Sequence, residues 1–283
     1  MIVSWGELLW DLFPDARRLG GAAANVAYHA AMLGDEALLV SRVGSDELGS
    51  LALSELEVHG VDTRFVQLDT DAPTGTVHVE VVGGEPRYRI ATAVAWDRIE
   101  WQHGLEHAFA HASACCFGTL AQRSPIGFDV LERALSFAPT ECVRICDLNV
   151  RQPFATPHII DRALSLANVV KLNATEARVL SELYAQPDPV SWLIGERGLQ
   201  MVALTLGAEG CLLATAHERH RSPGVPLTGA DGDAVGAGDA FTAVLAHELP
   251  QGTALDEVAA RANRYASYVA SQPGAMPSPP PWL

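Results

Sequence analysis

The sequence predicts an α/β fold: a mostly parallel central sheet covered by helices on both faces, with a small β element inserted. Three observations carry this. Apolar runs of strand length alternate with amphipathic helical stretches along most of the chain, the rhythm of βαβ units. One segment, residues 76–90, breaks that rhythm with period-two alternation, as a hairpin with one polar face does. Finally, 283 residues with 48% hydrophobic content suffice for a substantial core, and no internal repeat, low-complexity run or linker divides them. A single domain over residues 1–283 is expected.

Taken in order, Ile2–Trp5 reads as a short strand ending at Gly6-Glu7. After Asp11 and the Pro14-Asp15 turn, Gly20-Gly21-Ala22-Ala23-Ala24 leads into a helix stopped by Gly34. A strand (37–42), a helix (46–59, stopped by Gly60) and a strand near 65–68 follow. In 76–82, Val77, Val79 and Val81 share one face and Thr76, His78 and Glu80 the other. Gly83-Gly84 then turns the chain into Arg87–Ile90. This hairpin is either a flap over a site or a plain sheet edge.

From Trp96 the alternation becomes regular. A strand at 114–117 precedes a helix opened by Ser124-Pro125, a cap residue followed by proline. The strand at 143–146 delivers Asp147, Asn149 and Arg151. Thr156-Pro157 opens the next helix, and the strand at 169–172 runs into Asn173. A strand at 201–206 ends in Gly207, another follows at 211–214, and helices at about 237–249 and 256–271 close the chain.

The composition excludes some classes. A formal charge of −15 disfavours nucleic acid and anionic membranes as partners, so any phosphate site must act through local dipoles, a few cations and metal. The five cysteines lack metal-ligand pairing and read as buried free thiols, which suits the cytoplasm. The first residues carry acids and no basic region, so no signal peptide is read there. His103, His107 and His111 read as a solvated helix face.

Ligands of parallel sheets bind beyond the carboxyl ends of the strands, where Asp147, Asn149, Arg151, Asn173, Glu176, Thr205 and Gly207 all fall. The strongest chemical signal is Gly236-Ala237-Gly238-Asp239, opening an apolar helix. Small residues expose amides at a positive helix end, which suits an anion, yet an aspartate there would repel phosphate. It either caps the helix or takes a proton from a hydroxyl that attacks phosphate. Asn173-x-x-Glu176 reads as a capping box or as groups facing phosphates and Mg²⁺, the two being partly compatible. Arg151 is a candidate fork for a carboxylate, hydroxyls or phosphate, or part of a solvated loop.

In order, Gly20-Gly21-x-x-x-Asn25, Val43-Gly44-x-Asp46-x-x-Gly49, Asp147-x-Asn149-x-Arg151, Lys171-x-Asn173-x-x-Glu176, Leu204-Thr205-Leu206-Gly207-x-x-Gly210 and Asp233-x-x-Gly236-Ala237-Gly238-Asp239 resemble the ribokinase-like (phosphofructokinase-B) carbohydrate kinases over the full length. The resemblance implies a three-layer α/β/α sandwich with a small β lid, residues 62–94 with 11–19, and an ATP-dependent kinase acting on a sugar hydroxyl. It implies Asp239 as catalytic base and Gly236, Ala237, Gly238 and Asp239 as the anion hole. Asp11, Gly21, Asn25, Arg89 and Arg151 would contact substrate. Asn173 and Glu176 would serve phosphates and Mg²⁺, and Thr205, Gly207, Gly210 and Asn263 would line the nucleotide site.

Relatives often bind a monovalent cation such as K⁺, for which Asp233, Val235, Gly274 and Ser278 match. The start GELLWDLFP and DLNVR look most like fructokinases and 2-keto-3-deoxygluconate kinases, with ribose or nucleosides as further alternatives. A non-catalytic sugar or nucleotide sensor is the reading from another class. Two departures stand out: Ala234 replaces the usual threonine, and the short stretch between Asp11 and Gly20 leaves out a lid strand common in sugar kinases. The latter bears on a homodimer formed through the lid.

Overall fold

The computed structural model describes residues 1–82, 85–227 and 232–283, with side chains throughout except at 80–88. The Gly83-Gly84 turn and the side chains of Val81 and Tyr88 lie outside the described residues.

The chain opens with β1 (Ile2–Trp5), then β2 (Leu9–Leu12) and β3 (Arg17–Gly20), and α1 (Ala22–Met32) returns it to β4 (Ala37–Gly44). Next come α2 (Glu47–Val58), β5 (Asp62–Asp69), β6 (Gly75–Val82) and β7 (Glu85–Ile90). The alternation resumes with α3 (Leu105–Ala110), β8 (Ala114–Gly118), α4 (Pro125–Leu135), β9 (Val143–Asp147), α5 (Pro157–Leu166) and β10 (Val169–Asn173). The chain ends with α6 (Ala174–Tyr184), α7 (Pro189–Gly195), β11 (Met201–Thr205), β12 (Cys211–Thr215), β13 (Arg219–Ser222), α8 (Ala237–Glu248) and α9 (Leu255–Ala270).

The large sheet has the order β13-β12-β11-β10-β9-β8-β1-β4-β5. It is parallel from β11 to β5, and β12 and β13 extend it antiparallel. Its strands send successive residues to opposite layers, which is why they read as continuous apolar runs. Val3, Trp5, Cys115 and Phe117 pack with Leu131, Ile160 and Leu180 on one side. Ile2, Ala114 and Cys116 pack with Phe241, Val244 and Val258 on the other. The result is a three-layer α/β/α sandwich. The five cysteines are buried and free, and among the described residues no helix is long and apolar enough to cross a membrane.

Prolines start α4, α5 and α7, since the first helical position needs no amide hydrogen. Thr156 caps α5 through its side chain. Ser124 stands at the cap of α4, but its hydroxyl bonds no amide there. Asp46 is a fuller cap. Its Oδ1 accepts from Gly49 N at 2.8 Å and from the Thr74 hydroxyl at 2.6 Å, while Oδ2 accepts from Thr74 N at 2.8 Å. One carboxylate thus ties the start of α2 to the residue preceding β6.

A second sheet, β3-β2-β6-β7, crosses the carboxyl ends of the large sheet. It corrects two expectations. No strand is missing between Asp11 and Gly20: Phe13 N bonds Ala16 O at 2.8 Å, and this tight turn leaves Asp11 opposite Arg18 in a short hairpin. The element also begins at Gly75 rather than at residue 62, because β5 pairs with β4 and buries Phe65 and Val66 in the main core. Trp10 of β2 anchors the small sheet to the body through its indole N–H, donated to Leu48 O at 2.9 Å.

Candidate active site

Between the two sheets lies a cavity of about 500 Å³, within the range of small-molecule sites. Its floor is the start of α8. Gly236 caps this helix in a left-handed conformation, φ 78°, and supplies no side-chain oxygen. The first intrahelical bond is Ala240 N to Gly236 O at 2.8 Å, so the amides of Gly238 and Asp239 precede it. Ala237 N is only weakly engaged, 3.4 Å from Ala234 O.

Close packing explains the glycines. A Cβ at Gly236 would stand 2.6 Å from the Ala275 backbone, and one at Gly238 would stand 2.8 Å from Lys171 Nζ.

Asp239 does not cap α8. Its Oδ2 accepts instead from Asn25 Nδ2 of α1 at 2.6 Å. Burial, and then the negative charge of Asp147, push its carboxyl from the ordinary 3.8 up to about 7; the Asn25 bond and the Lys171 charge offset part of this. Asn25 is 5% exposed and lines the cavity, and its Oδ1, itself buried, has no hydrogen-bond partner among the described residues.

Beneath the helix start, Lys171 Nζ donates to both Asp147 oxygens, at 2.9 and 3.1 Å, and Thr242 Oγ1 donates to Asp147 Oδ2 at 3.0 Å. Burial opposes the lysine charge, but Asp147, Glu176 and Asp239 together hold Lys171 above its usual range. The expected grouping of Asp147 with Asn149 and Arg151 on one side is corrected. Asp147 is buried against Lys171, whereas Asn149, at φ 40°, ends the strand alternation and lines the cavity with Arg151.

Asn173 and Glu176 form the capping box of α6. Asn173 Oδ1 accepts from Thr175 N and Glu176 N at 2.9 Å, and Glu176 Oε2 accepts from Asn173 N at 2.8 Å. Glu176 Oε1 accepts from Val150 N at 2.9 Å. With both oxygens held by amides and 5% exposure, Glu176 fits Mg²⁺ through water rather than as a direct ligand. Burial, and then Asp147, raise its carboxyl above the usual range. Asn173 lines the cavity.

On the small-sheet side, Asp11 faces the cavity, and burial pushes its carboxyl up to about 6 against the pull of Arg151 and Arg18. Gly21, φ 104°, lets the chain pass against the Glu7 carbonyl, which a Cβ there would meet. Arg89 is exposed and does not line the cavity. The next residue does: Ile90, opposite Val77 across β6–β7, lines it, because successive strand residues point to opposite faces.

Thr205 pairs with Asn173 across β10–β11, outside the cavity but on the same sheet edge, and Gly207 follows on the surface. Gly210 is buried against the Ser222 and Gly224 backbone, where a Cβ would clash. Asn263 Nδ2 donates to Pro223 O at 3.2 Å. For these last two the structure gives a packing role against the segment after β13.

The set matched to a monovalent cation does not fit one. Asp233 Oδ2 accepts from Arg18 Nη1 at 2.6 Å and from Gly274 N at 3.1 Å, and Oδ1 accepts from Val235 N at 3.2 Å. Gly274 and Val235 thus turn amide hydrogens, not carbonyls, toward the carboxylate. The Ser278 carbonyl accepts from the Tyr268 hydroxyl at 3.0 Å.

Sequence reasoning left Lys171, Glu7 and Arg18 without roles. Glu7 is 3% exposed yet lines the cavity, with burial raising its carboxyl. A lysine inside the apolar strand Val169-Val170-Lys171-Leu172 was the available signal for a buried ion pair.

A helix start whose first amides precede the intrahelical bonds, a carboxylate of raised pKa beside them and an adjacent cavity are features that a phosphotransferase acting on an alcohol group requires. Comparison with known proteins agrees. A model described as the pfkB family carbohydrate kinase matches residues 15–282, and the chain belongs to that family, whose members transfer phosphate to a sugar. It is 30% identical to fructokinase of Escherichia coli over 264 residues, 85% of this chain and 81% of the relative. An uncharacterized sugar kinase from Pyrococcus horikoshii, solved in complex with ATP, superposes with a TM-score of 0.83 at 25% identity, covering 99% of this chain and 95% of that one. A fructokinase double mutant from Vibrio cholerae O395, in its fructose, ADP and potassium ion bound form, shares the fold with a TM-score of 0.81 at 24% identity, covering 98% and 94%.

Proposed function

We propose that this chain is a fructokinase-like, ATP-dependent sugar kinase with Asp239 as general base. The observation that carries this reading is the Asn25–Asp239 bond of 2.6 Å at the cavity floor, beside the open start of α8. Asn25 fixes the carboxylate from beside the cavity. Asp239 Oδ1 accepts the proton of a substrate hydroxyl as the hydroxyl oxygen attacks. A pKa near 7 leaves the carboxylate substantially ionised at neutral pH and still basic enough to take the proton. The amides of Gly238 and Asp239, with Lys171 behind them, face the charge on the transferred phosphoryl group.

Mg²⁺, when bound with ATP, would neutralise phosphate charge, and Asn173 and Glu176 would hold it through water. The nucleotide would extend from Asn173 along the sheet edge past Thr205 and Gly207. Asp11 and Arg151 would orient the sugar, under the small sheet acting as a lid. A homodimer through this lid and a cytoplasmic location, where five free thiols stay reduced, complete the reading.

A second substrate reading rests on Arg151, whose guanidinium beside the cavity suits the carboxylate of 2-keto-3-deoxygluconate. The raised pKa of Asp239 argues against a non-catalytic sensor, which gains nothing from an acid beside phosphate. The test is ADP release with ATP and a panel of ketohexoses, keto-deoxy acids, ribose and nucleosides. Fructose is expected to give the highest kcat/KM. Turnover confined to the keto acid would favour the second substrate reading, and stabilisation by a sugar without turnover would favour the sensor.

A further inference from the structure

In this fold the loop before α8 carries an aspartate, Asp233, at the place matched to a monovalent cation. We infer that Arg18 supplies the positive charge there, so that the anion loop of this kinase is organised by its own side chain and works without K⁺. The inference rests on the phosphotransferase reading of the α8 loop.

The Asp233 carboxylate, one-third exposed, is engaged on both oxygens by the protein's own donors. A carboxylate offers about four lone-pair positions. Around Asp233 three donors meet them: Arg18 Nη1 at 2.6 Å, Val235 N at 3.2 Å, and a single Gly274 N–H shared between the two oxygens at 3.1 and 3.2 Å. A bare cation needs converging oxygens; here the neighbours present hydrogens, and the charge they face is already balanced. The guanidinium also occupies the space over the Gly274 turn: Arg18 Cδ and Nη1 lie 3.6 and 3.9 Å from where a Cβ at Gly274 would stand. The guanidinium is steadied by the Phe13 ring, with Cζ 5.1 Å from its centroid. Ala234, φ 56°, adds no hydroxyl to the loop.

The replacement changes what the charge is attached to. A dissolved ion is independent of the small sheet, whereas Arg18 belongs to β3, directly opposite Asp11 in register. The strand that faces the sugar side and the loop that faces phosphate are thereby joined by one ion pair.

The experiment compares purified wild-type protein with Arg18→Ala, and with Arg18→Gln as the variant that keeps the stem, in KCl and in choline chloride of equal ionic strength. Tm is read without nucleotide and ADP·Mg affinity by calorimetry. Wild type is expected to show the same Tm within about 1 °C and the same affinity within about twofold in both salts. The variants are expected to bind ADP about tenfold more weakly than wild type in both salts, because no set of oxygens is left there to hold K⁺ in place of the guanidinium. A K⁺-specific rise in wild-type Tm or affinity would overturn the inference, as would variants that bind ADP as tightly as wild type in choline chloride. If wild type binds no ADP in either salt, the nucleotide reading fails, and the Tm comparison alone still decides the question of K⁺.

Discussion

Two helices of this protein begin with glycines and an aspartate, and they use them in opposite ways. At α2, Asp46 stands at the cap itself, accepts three hydrogen bonds from Gly49 and Thr74, and has its carboxyl held below the ordinary value: burial opposes ionisation, but the Thr74 and Gly49 bonds outweigh it. At α8, Asp239 stands in the first turn, caps nothing, receives one bond from Asn25 and is pushed up to about 7. The motifs contain the same residue types. What separates them is whether the protein saturates the carboxylate with its own donors. A saturated acid stabilises the fold, and an unsaturated one keeps the capacity to accept a proton, the role proposed for Asp239.

The sharpest test exchanges each aspartate for its amide. Asp239→Asn should lower kcat by about 10³-fold or more with ADP affinity largely kept, whereas Asp46→Asn should leave kcat of the folded enzyme within about threefold. Near-normal turnover of the Asp239 variant in steady-state assays would remove the base assignment and the contrast with it.

Next in size is Gly238→Ala. The new methyl would press on Lys171 Nζ, displacing the ion pair beneath the loop, and kcat should fall by about 10–100-fold. Gly49→Ala, at the corresponding turn of α2, should act on stability instead, because its Cβ would meet the Gly44 carbonyl.

Stability reverses the ranking. Asp46→Ala removes a cap and leaves the Thr74 N–H and O–H without their acceptor, a loss of about 2–3 kcal/mol, read as a fall in Tm of roughly 3–6 °C.

The smallest effect is on pH. Asp239 binds a proton more tightly folded than unfolded, so its contribution disfavours the native state above about pH 7 and disappears as pH falls below the unfolded value of 3.8. Asp239→Asn should therefore melt roughly 2–6 °C higher than wild type at alkaline pH, with the difference closing in acid. Asp46 has the opposite sign. Its stabilisation is present above the unfolded value and lost as pH falls through the lowered folded one. In kcat/KM, the ionisation of Asp239 should appear as a limb rising with pH and centred near 7.

How much of this was legible follows from how local each feature is. Gly236-Ala237-Gly238-Asp239 and Asn173-x-x-Glu176 are helix starts written in consecutive residues, so the open start of α8 and the capping box could be read directly. The alternating layers were legible because each strand reports its own burial. Pairings between distant segments were not: nothing near Asp233 announces Arg18, and nothing near Lys171 announces the Gly238 turn against it. Arg89 was misplaced by one residue, enough on a strand to send a side chain to the other face. The β2–β3 hairpin was missed because four-residue strands joined by a short turn leave little periodicity to detect.

The parallel pairing of β2 with β6 sets an order of assembly. Leu9 stands opposite Gly75, and the chain between them contains α1, β4, α2 and β5. Closing so long a loop before its contents are ordered is entropically unfavourable, so the small sheet should form only after the neighbouring part of the large sheet is in place. In pulse-labelled hydrogen exchange during refolding, amides of β1 and β4 should gain protection before those of β2 and β6, and simultaneous protection would contradict this order. The substrate-facing half of the site would then be the last part of the molecule to exist.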